Sequence, residues 1–455
     1  MFDCADTARA QAYRRGGKKI VVGASASHTR ASWDYVRVFN VLATFTSTKT
    51  LILWHLNDFP YYQLPEWLTK FPLLQTFEVL CRNDRCFMPR YYTPHLRVPF
   101  PNITRLYLSD VRWVLADRLM DQSTCALAHL SSLTSLRSLR TDVPSWLALS
   151  RSRSKDALSI TAQLKEIIIE TSNTTTTEEM RSLAWVRGLF RALRQCAAQL
   201  EQLRVEVPWE VVGAEVDAIS LHKLTVFIGP EGLLDKLTIN GPLTVLWITS
   251  GGMNRSITRW EKAWFKIGSA GLLRLLRVGL WDVAALDPYT VLTQLPNLEE
   301  FSFSSTAALT KHGLVRLGKA LEACPLIHSV AVYSPPETMD QHSETFPSAS
   351  AFSTIEVVEI ASSWREKCPR LEVIRLDITE EWEYGCDWVN GRPDGWTPRY
   401  LPFQTVSQRL VNLPKGLDAT YIVIPPRDDD EGFVYSSDYQ YDSDRDSTSS
   451  VVKAT

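Results

Sequence analysis

The side chains best suited to chemistry are scattered along this chain of 455 residues rather than gathered into a motif. Its eight histidines stand at 28, 55, 95, 129, 222, 312, 328 and 342, and none falls in the HExxH spacing that places two imidazoles on one helix face. No glycine-rich phosphate loop or GxSxG elbow occurs. The eight cysteines include no CxxC pair. Cys81 and Cys86 have no matching Cys/His pair downstream at zinc spacing, so the thiols read as buried and reduced. Glu380, Glu381, Glu383 and Asp387 could approach a hard cation such as calcium. They lack the alternating oxygen ligands of an EF-hand loop and read as a solvated acidic turn. Asp110 follows a strand and reads as a turn residue. The expectation is a protein without catalytic residues, cofactor or metal; the alternative is an enzyme with a cryptic site within Trp382 to Tyr400.

A different chemistry, that of contact surfaces, follows from a recurring phrase. Ile103-Thr104-Arg105-Leu106-Tyr107-Leu108, Leu200-Glu201-Gln202-Leu203-Arg204-Val205, Leu298-Glu299-Glu300-Phe301-Ser302-Phe303 and Leu371-Glu372-Val373-Ile374-Arg375-Leu376 share one pattern. Each has an apolar anchor, two intervening residues, then two apolar residues at period two, as in a short strand buried on one side. The residue between the apolar pair must face the other way. This rule puts Tyr107, Arg204, Ser302 and Arg375 on an exposed, concave face, with Arg105, Glu201 and Glu300 close by. Mixed charge with polar and aromatic groups suits a protein partner better than a polyanion.

Strands this short must stack on neighbours, which predicts a solenoid of parallel strands alternating with helices. Apolar spacing predicts helices over 33–42, 115–130, 178–198 and 312–323, and strands near 50–54, 75–80, 136–139, 163–169, 224–228, 243–248 and 275–280. The strand spacing varies from about 20 to about 45 residues and the asparagine ladder of tight leucine-rich repeats is mostly missing, so the array is expected to be irregular, with insertions at 150–154, 171–177 and 334–353. The fold class is α/β, an irregular leucine-rich-repeat solenoid over 32–378. A flexible basic N-terminus (1–31) carries Arg14, Arg15, Lys18 and Lys19, an aromatic C-terminal cap covers 379–426, and an acidic, serine-rich tail (427–455) is expected to be disordered. Ser436, Ser443 and Ser447 sit among carboxylates there, a context that acidophilic kinases accept; the plainer reading is a solubilising tail.

Composition adds limits. A net charge of -2 makes no global case for nucleic acid or a membrane. The fifteen tryptophans read mainly as core fillers between unequal repeats. No apolar run reaches transmembrane length and no signal-like stretch opens the chain, so a cytoplasmic or nuclear protein is expected.

The phrases Phe100-Pro101-Asn102-Ile103-Thr104-Arg105-Leu106-Tyr107-Leu108 and Cys368-Pro369-Arg370-Leu371-Glu372-Val373-Ile374-Arg375-Leu376 resemble the leucine-rich-repeat region of F-box-type proteins of mushroom-forming fungi. The aromatic segment Trp382 to Tyr400 is similar to what often follows those repeats. The resemblance covers roughly residues 33–400 and implies a substrate-receptor-like role. Such proteins typically open with an F-box, a Leu-Pro-x-Glu start and three helices that dock on the ubiquitin-ligase adaptor Skp1. Nothing before Ser32 supplies it, and Leu64-Pro65-Glu66-Trp67 runs straight into the repeat phrase Phe71-Pro72-Leu73-Leu74. The implied relation is therefore a fragment, a mis-started gene model or a relative without ligase coupling.

Overall fold

The computed structural model describes residues 19–23, 35–54, 67–80, 102–109, 135–151, 163–171, 175, 179, 183–207, 217–249, 267, 270–281, 288–305, 310–333, 354–376, 380–384, 396–400 and 420–423. Its strands are β1 (Lys19–Gly23), β2 (Thr50–Trp54), β3 (Thr76–Leu80), β4 (Arg105–Ser109), β5 (Ser138–Asp142), β6 (Glu166–Glu170), β7 (Gln202–Val205), β8 (Ile219–Leu221), β9 (Val226–Pro230), β10 (Leu237–Ile239), β11 (Val245–Thr249), β12 (Leu275–Trp281), β13 (Glu300–Ser305), β14 (Ser329–Tyr333), β15 (Val373–Arg375), β16 (Glu380–Tyr384), β17 (Trp396–Tyr400) and β18 (Thr420–Val423). From β1 to β15 they pair parallel in chain order, leaving out β8 and β10, which form their own small parallel sheet. That order is the signature of a solenoid: each strand meets only the strands of adjacent repeats. The chain is an irregular leucine-rich-repeat solenoid.

Two features make the stack. Inward side chains line up in register as one column, from Leu51 through Phe77, Leu106, Leu139, Ile167, Leu203, Phe227, Leu246, Leu276, Phe301 and Val330 to Ile374, all of them buried. Before each strand, two consecutive backbone N–H groups donate to one carbonyl of the preceding repeat. Gln75 and Thr76 donate to the Lys49 oxygen (2.8 and 2.9 Å), and the same fork recurs on the carbonyls of Gln75, Thr104, Arg137, Lys165, Glu201, Thr225, Thr244, Arg274, Glu299 and His328. These bonds need no particular side chain, so the stack holds its regularity without an asparagine ladder. Asn102 and Asn297 add side-chain donors to the Pro72 and Gly271 carbonyls, at 2.7 and 2.8 Å.

The other side of the core comes from helices α1 (Tyr35–Leu42), α2 (Val143–Arg151), α3 (Leu183–Cys196), α4 (Glu231–Leu234), α5 (Pro288–Leu292), α6 (Lys311–Leu321) and α7 (Thr354–Lys367). Their apolar faces join the strand columns in a single buried cluster. Large rings fill the unequal gaps: Trp146, Trp185, Trp281 and Trp364 are buried, and Phe39 stacks on Trp67 at 4.2 Å. Buried indoles need a polar partner. Trp146 donates to the Trp185 carbonyl and Trp364 to that of Leu314, each at 3.0 Å, which ties α2 to α3 and α6 to α7. The described thiols Cys196, Cys324 and Cys368 are free and buried; burial pushes them up to about 12, 12 and 11.

Several expectations shift. Lys19–Gly23 lies in the segment assigned to a flexible terminus, yet it forms β1 and buries Ile20 and Val22. Three consecutive apolar residues between a basic cluster and glycine were too short a strand signal. The strand expected at 136–139 lies at β5, because Thr141 occupies an inward position and breaks the apolar alternation; Thr141 is nonetheless buried. The helix expected at 178–198 is α3, and that at 312–323 is α6. Between β7 and β11 the pair β8 and β10 was not anticipated, and the repeat there shrinks to 19 residues from Phe227 to Leu246. The aromatic segment forms an antiparallel extension, β16 on β15 and β17 on β16, whereas β18 returns to pair with β1 at the opposite end. The helix expected at 115–130, the acidic tail and Asp110 lie outside the described residues, as do the three loops apart from residues 150, 151, 171 and 175.

Candidate functional site

Side chains between the two inward positions of each strand form a row on the sheet face away from the helices. In register it reads Ile52, Glu78, Tyr107, Arg140, Ile168, Arg204, Ile228, Trp247, Arg277, Ser302, Ala331 and Arg375. Tyr107, Arg204, Ser302 and Arg375 thus stand in one row, as their position in the phrase requires, but each is only partly exposed, because neighbouring side chains of the row cover them. Arg105 and Glu300 lie on it one row nearer the strand starts, facing Ser138 and Leu275 respectively. Glu201 sits just before β7, where its carboxylate pairs with Lys165 at 2.7 Å.

Within the row the structure brings together groups that sequence reasoning did not single out. Arg140 grips Glu170 through Nε and a terminal nitrogen at 3.0–3.1 Å. Its guanidinium lies 4.4 Å from the centre of the Tyr107 ring. Arg204 pairs with Glu206 at 2.6 Å and reaches Glu170 at 4.0 Å. Arg204 and Glu170 are only 13% and 15% exposed, so this is a partly desolvated network. Burial works against the Arg140 charge, but Glu170, Tyr107 and Glu78 more than offset it and its pKa is raised. Burial also lifts the Tyr107 hydroxyl, with Arg140 opposing. Further along, Arg277 lies over the Trp247 ring at 5.4 Å and 3.6 Å from Glu300. Ile228 stands beside Trp247 in the row, and Val226, Val245 and Leu275 one row nearer the strand starts. The signal that finds Glu78, Arg140, Trp247 and Arg277 was present: the in-between rule applies to every strand, including the weak ones.

An aromatic–arginine pair beside apolar side chains and flanked by preformed ion pairs is the composition of binding hot spots. Among the described residues no group of three or more His, Cys, Asp or Glu side chains could hold a metal ion. No helix among them is long and apolar enough to cross a membrane.

No family model matches the chain, and no curated protein matches it. Solved structures with similarity include the TLR13–ssRNA13 complex, at 12% identity and a TM-score of 0.32, covering 74% of this chain and 40% of that one. Yeast Rad7, in a complex with Elc1, is similar at 13% identity and a TM-score of 0.31, covering 75% and 82%. The leucine-rich repeat-containing protein LegL7 from Legionella pneumophila follows at 13% identity and 0.27, covering 78% and 92%. This chain spans 40% of the TLR13 chain. The repeat assignment stands on strand order, the inward column and the forked carbonyl bonds.

Proposed function

We propose that this protein is a protein–protein recognition module whose partner docks on the open face of the sheet, in the manner of a substrate receptor. One observation carries the reading: Trp247 with the Arg277 guanidinium over its ring, on the same row as the Arg140–Glu170–Arg204–Glu206 network, on the sheet face opposite the one the described helices pack on. Ion pairs already made within the face are held in place before binding, which lowers the entropy lost on association. Tyr107, Arg105, Arg204, Ser302 and Arg375 belong to the same proposed surface. The kinship with F-box substrate receptors belongs to this proposal too and rests on the repeat phrases and the aromatic segment.

The test is affinity capture with quantitative mass spectrometry, comparing the parent chain with Trp247→Ala, Arg277→Glu and the exposed helix-side change Val315→Lys. Specific preys should fall about tenfold or more with the two open-face changes, as for hot-spot truncation, and persist with Val315→Lys. Preys indifferent to both open-face changes would overturn the reading. Recovery of Skp1 among them, by this chain or by a version extended upstream, decides the ligase relation.

A further inference from the structure

The charged groups of the open face mostly satisfy one another, and the exception is informative. Glu206 pairs with Arg204, Glu170 pairs with Arg140, and Arg140 covers the Tyr107 ring. The series stops at Glu78, one register step beyond Tyr107. Glu78 is partly buried, yet among the described residues it makes no hydrogen bond or ion pair; Lys19 and Arg140 act on it only at longer range. On its other side the row continues with the buried aliphatic Ile52. Burial raises the carboxyl of Glu78 above the ordinary glutamate value. A carboxylate drawn partly out of water, with its counter-charges held at longer range than an ion pair, is a cost the fold carries.

Charge balance points the same way. Over β1 to β7 the acidic groups of this face are Glu78, Asp142, Glu166, Glu170 and Glu206, and the basic ones are Lys19, Arg105, Arg140 and Arg204. Glu166 accepts a hydrogen bond from Ser138. Asp142 accepts from the Ser145 N–H, and among the described residues Glu78 alone of these five acids accepts no hydrogen bond and makes no ion pair. Beside it, the Tyr107 ring offers one face to Arg140, the geometry in which aromatic rings hold cations.

We propose that Glu78 is the receptor for a lysine or arginine side chain presented by a polypeptide segment of the partner, with Tyr107 as the wall of its subsite. This deepens the recognition reading and rests on it. The cation would complete the alternation of charge that runs from Glu206 to Tyr107. It would convert an unpaired, partly desolvated carboxylate into a charge-assisted pair.

Selection of random peptides displayed on phage against the full chain, with affinities of the recovered peptides measured by calorimetry, tests this. The expected result is a shared lysine or arginine, affinity lower by about tenfold or more with Glu78→Gln, and a preference turned to aspartate or glutamate with Glu78→Lys. Peptides that lose binding with Trp247→Ala but ignore Glu78→Gln would overturn the assignment while leaving the recognition face standing. Recovery of no peptide sensitive to any open-face change would overturn both. Selection that succeeds only after removal of residues 1–18 would give Glu78 to the chain's own Arg14 and Arg15, and would overturn a partner's cation as its occupant.

Discussion

Glu78 and its neighbours show how one position in a repeat phrase can hold opposite energetics. Arg140 has a bidentate carboxylate and an aromatic ring and keeps its charge despite burial. Glu78, two strands away, has neither, and burial raises its carboxyl. A raised value means the native state holds that proton more tightly than the unfolded chain does. The ionised group therefore subtracts stability at neutral pH, and this deficit is absent below the unfolded glutamate value. Glu78→Gln should melt higher than the parent at pH about 7, with the difference closing as pH falls below about 4. Thermal melts of both chains across that window check it; a parent chain equally or more stable at neutral pH would show Glu78 to be satisfied. The ionised Glu78 carboxylate therefore costs this face some stability at neutral pH.

At the scale of elements, α6 and α7 are fitted to one glycine. A Cβ on Gly318 would stand 2.5 Å from Cδ1 and 2.6 Å from Nε1 of Trp364, whose indole is anchored to the Leu314 carbonyl. Alanine is the better helix former by about 1 kcal/mol. Overpacking in a buried contact costs about 1–3 kcal/mol, and here the ring cannot retreat without losing its hydrogen bond. Gly318→Ala should therefore destabilise the protein despite its helix propensity, by up to about 2 kcal/mol net in urea denaturation. The entry to α6 is set locally, by the Thr310 hydroxyl accepting from the Gly313 N–H at 3.1 Å. The packing of α6 on α7 is set by Trp364, which lies beyond the loop of 334–353. Helix positions were legible from apolar spacing; the need for a glycine opposite an indole was not, because the two lie 46 positions apart.

For the whole molecule, nearest-neighbour stacking sets the response to damage. Leu203 is fully buried in the inward column, between Ile167 and Phe227. Its truncation to alanine should cost about 2–5 kcal/mol. In an array whose repeats contact only their neighbours, that loss should spread outward with decreasing effect instead of melting all strands alike. Hydrogen-exchange mass spectrometry of Leu203→Ala should show the largest loss of protection in β6, β7 and β9, and less in β2 and β14. A uniform loss would mean that the solenoid unfolds as one unit.

The repeat is already legible along the chain: period-two pairs such as Leu203 and Val205 can bury only one side, so strands built this way must stack, and the residues between them must share a face. The same local rule placed Tyr107, Arg204, Ser302 and Arg375 in one row. It could not register the faint strand β1, nor the slip of β5 around Thr141, because burial there comes from neighbouring repeats. Only the tertiary structure decided which charges meet. Arg140 and Glu170 are 30 residues apart in sequence and become neighbours only through strand register. That same register leaves Glu78 without an ion pair among the described residues, since pairing depends on distance across strands and the pattern along a strand carries no record of it.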